Sequence, residues 1–71
     1  MTYWLSIIIE HEAPWFVAFC PDLDVASQGK SVEEAQANLK EAITLYLQHA
    51  DPTELGLPKD PPLVSAIPIS V

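Results

Sequence analysis

The sequence predicts an α+β domain in the order β-β-β-α-β. A three-stranded antiparallel meander carries one helix on one face, and a fourth strand lies parallel to the first. Three observations lead there. Short aromatic and β-branched segments are separated by polar turns holding proline and aspartate. A capping signature opens a run with helical periodicity. After a proline-rich stretch, the chain closes on an alternating apolar segment.

Residues 3–10 read as the first strand. One face presents Tyr3, Leu5, Ile7 and Ile9; the other presents Trp4, Ser6, Ile8 and Glu10. His11-Glu12-Ala13-Pro14 is a polar hairpin tip, since proline is excluded from central strands. Residues 15–20 form the second strand, with Trp15, Val17 and Phe19 on one face and Phe16, Ala18 and Cys20 on the other. Pro21-Asp22-Leu23-Asp24 is the next turn. A short third strand over 25–28 delivers Gly29 to the start of the helix.

The helix is expected over 32–49. Ser31 is placed to accept a hydrogen bond from a first-turn N–H, and Glu34 to reach back to the Ser31 N–H. Glu33 and Glu34 put negative charge at the positive end of the helix dipole. Val32, Ala35, Leu39, Ala42, Ile43, Tyr46, Leu47 and Ala50 make one apolar stripe. Leu45 points away from it. Asp51-Pro52 stops the helix, because the residue before proline is pushed out of the helical region. The connector, 51–62, holds Pro52, Pro58, Pro61, Pro62 and Gly56, with Leu55 and Leu57 as anchors. The last strand, 63–71, alternates Leu63, Ser65, Ile67, Ile69 and Val71 against Val64, Ala66, Pro68 and Ser70. Pro68 lacks a donor, so this strand is expected at an edge or with one side exposed at that point. A right-handed crossover places it beside the first strand, giving the sheet order third, second, first, fourth.

A chain of 71 residues is one domain with a small core. Cys20 is the single cysteine, so no disulfide within the chain supports it. A lone thiol and no signal-peptide pattern point to a cytoplasmic protein, and no apolar run approaches the ~18 residues of a membrane span. Ten acidic residues against three lysines and no arginine give a net charge of −7. Contacts to nucleic-acid phosphates need Lys and Arg, so the charge disfavours direct nucleic-acid binding by this chain and favours a basic protein partner.

One helix covers one face of the sheet, yet both faces of the first two strands are apolar. An uncovered patch of that kind marks a protein interface. Trp4, Ile8, Trp15 and Leu45 are its candidate residues, shared with another copy in a dimer or tetramer or with a different protein. The competing expectation is that the connector folds over the patch. Glu10, Glu12, Asp22 and Asp24 are the candidate acidic edge towards a basic partner.

No chemistry-bearing constellation stands out. His11 and Glu12 beside Glu10 fit a polar hairpin tip better than a metal site. Cys20 sits among apolar residues as an inert thiol, and His49 falls at the helix end. The glycines are too far apart to form a phosphate loop. No catalytic residue, metal ligand or cofactor is expected.

Phe19-Cys20-Pro21-Asp22-Leu23, Ser27-Gln28-Gly29-Lys30-Ser31, Glu33-Glu34-Ala35, Asn38-Leu39-Lys40-Glu41-Ala42-Ile43 and Tyr46-Leu47 together resemble the HicB antitoxin family. The likeness runs from about residue 3 to residue 47. It implies a partial ribonuclease-H-like fold and a non-catalytic role: binding and neutralising a small, basic, mRNA-cleaving toxin of the HicA type. The sequence departs from the family pattern at Asp24-Val25-Ala26, where Pro-Gly-Cys is usual. No second, DNA-binding domain is expected within these 71 residues. Ribonuclease H chemistry needs carboxylates converging on two metals, and the first strand offers none before Glu10. An orphan domain that self-associates or binds another cytosolic protein is the alternative function; a degenerate nuclease is a third.

Overall fold

A computed structural model describes residues 3–70. The sheet has strands β1 (Ile8–Glu12), β2 (Trp15–Cys20) and β3 (Val25–Gly29) in the order β1-β2-β3, followed by helix α1 (Val32–Gln48). Both strand pairings are antiparallel, as the short connections require. Ile8 faces Phe19 and Glu12 faces Trp15 across the first ladder; Phe16 faces Gly29 and Cys20 faces Val25 across the second.

The first strand differs from the expected 3–10 at both ends. It starts later because β2 stops at Cys20, level with Ile7, leaving residues 3–6 no strand to pair with. Their backbone groups find other partners. The Ser6 N–H donates to the Asp22 carboxylate (2.8 Å), and the Trp4 N–H donates to the Pro58 carbonyl (3.0 Å). The strand also runs further, through His11 and Glu12, so those residues lie in the ladder rather than at the hairpin tip. The turn shrinks to Ala13-Pro14, joined by a cis peptide bond.

Helix α1 begins where the sequence placed it. The Glu34 N–H donates to Ser31 Oγ (3.1 Å), with Ser31 in extended backbone. The reciprocal bond is shifted by one residue: Glu34 Oε1 accepts from the Lys30 N–H (3.2 Å), not from Ser31. The helix ends at Gln48, and the His49 N–H caps it by donating to the Tyr46 carbonyl. Its buried stripe is Ala35, Leu39 and Ile43, packed mainly across β3 and β2. Val32 and Tyr46, expected in the stripe, are exposed, because a three-stranded sheet is too narrow to cover both flanks.

The core is Ala18, Cys20, Ala35, Leu39 and Ile43, flanked by Leu5, Ile7, Ile9, Phe16, Leu23, Val25 and Leu47. Gly29 permits this close approach of layers. A Cβ built there would lie 2.5 Å from the Ala35 nitrogen. Asn38 adds a second tie between helix and sheet, its amide donating to the Gln28 carbonyl (2.9 Å). Of the two connector anchors, Leu57 is buried and Leu55 is exposed.

Among the described residues there is no fourth strand. Residues 63–70 belong to no helix or strand and are exposed throughout, with Leu63 completely so; Val71 lies outside the described residues. The expected pairing beside β1 is therefore not formed within this chain. The Pro58 carbonyl is held at Trp4, and the chain beyond leaves the body through Pro61-Pro62, whose ring-locked φ angles favour an extended course.

Candidate partner-binding surface

The two faces of the sheet separate by parity. Gly29 faces the helix, so Ser27 and Val25 do too; the ladder then assigns Phe16, Ala18 and Cys20 to the same side. Trp15, Val17 and Phe19 are left on the opposite face. The register adds neighbours in rows: Ile8, Phe19 and Ala26; then Glu10, Val17 and Gln28; then Glu12 and Trp15. This face carries no helix. Trp15 is 36% exposed and Ile8 42%. Val17, Ala26, Ser27 and Gln28 line a shallow depression beside it.

The candidate residues thus fall in different places. Ile8 and Trp15 share the open sheet face. Trp4 is half-exposed (48%) on the segment preceding β1, where Leu5 and Ile7 turn into the core. Leu45 does not join them. It is exposed on the helix, well off the buried stripe of Leu39 and Ile43, and the helical layer separates it from the open face. Residues 63–70 do not cover the patch, since Leu63, Val64, Ile67 and Ile69 all face solvent; the connector reaches its edge only at Pro58, whose carbonyl accepts from the Trp4 N–H.

The four acidic candidates also divide. Glu10 and Glu12 lie on the open face, alternating with Ile8 along β1 and set opposite Val17 and Trp15. Asp22 is occupied in holding Ser6. Asp24 sits in the left-handed region, with φ 55°, where aspartate is better tolerated than most residues. Asp22 and Asp24 are therefore parts of the turn's own construction as well as bearers of charge.

His11 lies on the helix-side face, its ring stacked on Phe16 with centroids 4.5 Å apart. Cys20 is fully buried. Among the described residues no cluster of His, Cys, Asp and Glu has the geometry to hold a metal ion. No helix among them is long and apolar enough to cross a membrane. The surface can bind: an apolar row down β2, bordered by carboxylates on one side and an amide on the other, suits a partner with apolar and basic groups side by side.

The β2 row of Trp15, Val17 and Phe19 is the part that alternation alone left open, because both β2 faces are apolar. The discriminating signal was Gly29, whose lack of a side chain beside Ala35 sets the parity of the whole sheet.

No protein-family model and no solved structure matches the chain. A protein of Helicobacter pylori strain J99 described as a UPF0150 protein is 45% identical over 53 residues, covering 73% of this chain and 74% of its own length. The aligned stretch is longer than the whole β1–α1 unit, and at this identity and coverage the chain belongs to the UPF0150 family.

Proposed function

We propose that this chain is a non-catalytic protein-binding module, the antitoxin of a type II toxin–antitoxin pair. It neutralises a small, basic, mRNA-cleaving toxin of the HicA type by direct binding in the cytoplasm. The observation that carries this reading is the uncovered sheet face, where Trp15, Val17, Phe19 and Ile8 alternate with Glu10 and Glu12 on a chain of net charge −7. The resemblance of the Pro21-Asp22, Gly29, Glu34-Ala35 and Asn38 pattern to HicB antitoxins supports it. The four-stranded, partial ribonuclease-H-like arrangement and a homo-oligomeric state belong to the same proposal. A toxin's cationic surface supplies the complement: carboxylates steer the encounter, and the aromatic row gives buried area once water is expelled.

The test is binding and inhibition. The purified chain is mixed with any small basic protein that its gene neighbourhood proves to encode, and mRNA cleavage is followed. Stoichiometric inhibition is the expected result. Replacing Glu10 and Glu12 together by Lys weakens the complex at least tenfold and flattens its dependence on salt. Glu10 and Glu12 are the cleaner positions, since reversal at Asp22 also releases Ser6. Unchanged affinity in the Glu10→Lys/Glu12→Lys variant removes this face from the interface. Absence of any basic protein partner in the native cell leaves the second reading, an orphan domain that self-associates, which the exposed apolar tail favours.

A further inference from the structure

The described residues include a β-strand edge without a strand beside it and an apolar strand-like segment without a sheet. β1 is an edge of the sheet, paired with β2 on one side only. Residues 63–70 carry Leu63, Val64, Ile67 and Ile69, the last three at 65%, 74% and 72% exposure, and no charge at all. Their cost in exposed surface is visible in the whole molecule. The accessible area is 5511 Å², against about 4,400 Å² for a compact monomer of this mass. The radius of gyration is 13.5 Å, against about 11 Å for a compact chain of this length.

We propose that residues 63–70 form a fourth strand on the open edge of β1 in a second copy of this chain. The exchange is reciprocal and yields a closed, two-fold dimer. Two features favour another copy over the chain's own edge. First, the tail is badly placed for its own β1. With the Pro58 carbonyl held by the Trp4 N–H, a chain running on alongside β1 brings Leu63 level with Ile9. Ile67 and Ile69 then overrun the strand at Ala13-Pro14, and the second half of the segment, residues 67–70, has nothing to pair with. Second, Pro61-Pro62 is a stiff, extended spacer that carries the segment outwards rather than folding it back.

Pro68 sets the orientation. In a strand, alternate residues direct their N–H and C=O groups to alternate sides. Pro68 has no N–H, so the set 64, 66, 68 and 70 faces outwards, and the N–H groups of Ser65, Ile67 and Ile69 bond to the neighbouring β1. The proline then blunts the new outer edge, which stops growth at two copies. Exchange of identical segments needs no new chemistry, because each copy supplies one donor strand and one acceptor edge. This inference deepens the homo-oligomeric part of the proposed reading and is separable from toxin binding: the exchange uses the β1 edge, whereas a toxin would use the open face.

The experiment compares the full chain with two neighbouring proline variants by light scattering across a range of concentrations. The wild type is expected at twice the mass of the 7.8 kDa chain. Ser65→Pro removes an inward donor and is expected to shift the dissociation constant at least tenfold towards monomer. Ala66→Pro removes an outward one and is expected to leave the dimer intact. Helical circular dichroism confirms that both variants fold. On the wild type, dimers refolded from mixed isotope-labelled and unlabelled chains are expected to show intermolecular contacts between Ile67 and β1. Three outcomes overturn the proposal: a monomeric wild type, a dimer equally affected by both prolines, or tail-to-β1 contacts confined to one chain. None of them bears on whether the open face binds a toxin.

Discussion

The Ser6 N–H donates to Asp22 Oδ2 at 2.8 Å, fastening the segment before β1 to the turn after β2. The contact closes the end of the sheet where the β1–β2 ladder has run out, and it holds Leu5 and Ile7 against the core. A carboxylate is suited to the task because a charged acceptor strengthens the hydrogen bond. Asp22→Ala is expected to destabilise the chain by about 1 kcal/mol, below the usual range for a charge-assisted bond because the site is exposed. Asp22→Asn, which keeps an acceptor, is expected to recover much of that loss. Urea unfolding of the pair checks it; equal midpoints for Asp22→Ala and wild type would remove the clamp.

Gly29 is where helix and sheet come closest. A methyl group there meets the Ala35 nitrogen at 2.5 Å and the Glu34 Cβ at 2.9 Å, so the helix start must move. Gly29→Ala is expected to cost roughly 1–3 kcal/mol by overpacking, although alanine ordinarily improves a strand or helix interior. Gly56, at φ 64° with open space around its Cα, offers a contrast. Gly56→Ala is limited to about 1–2 kcal/mol of left-handed strain, with no clash. Thermal unfolding reads both losses, and amide NMR spectra distinguish the mechanisms, since only Gly29→Ala should disturb the signals of Glu34 and Ala35.

Asp51 titrates below the ordinary carboxylate value of 3.8, chiefly because the Thr53 hydroxyl donates to it (2.7 Å) and secondarily because the Thr53 N–H does (3.0 Å). A lowered folded-state value means that ionised Asp51 favours the folded state. Its contribution is complete above the unfolded-state value and is lost as the pH falls through the lower folded one. The expected outcome is a carboxyl titration midpoint for Asp51 below that of a model peptide, returning towards it in Thr53→Ala. Carbon-13 NMR titration reads it directly, and an unchanged midpoint in Thr53→Ala would assign the shift elsewhere.

The sequence by itself determined the meander, the helix and its start. Turn prolines, strand alternation and the Ser31–Glu34 cap are local signals, each encoded within a few residues and decided by short-range sterics and hydrogen bonding. It also showed that apolar surface exceeds what one helix can cover. The tertiary structure decided the rest. Residues 3–6 have the composition of a strand, yet β2 ends at Cys20 and the Ser6 and Trp4 N–H groups turn to Asp22 and Pro58 instead. Asn38 reads as an ordinary exposed helix residue until the fold sets it beside the Gln28 carbonyl. Both faces of β2 are equally apolar in sequence, and only the contact of Gly29 with the helix selects which one is left open. Residues 63–70 have the pattern of a strand, but a strand exists only where another backbone runs beside it. That condition depends on neighbours far away in the chain or in another molecule, and no local pattern of side chains can satisfy it.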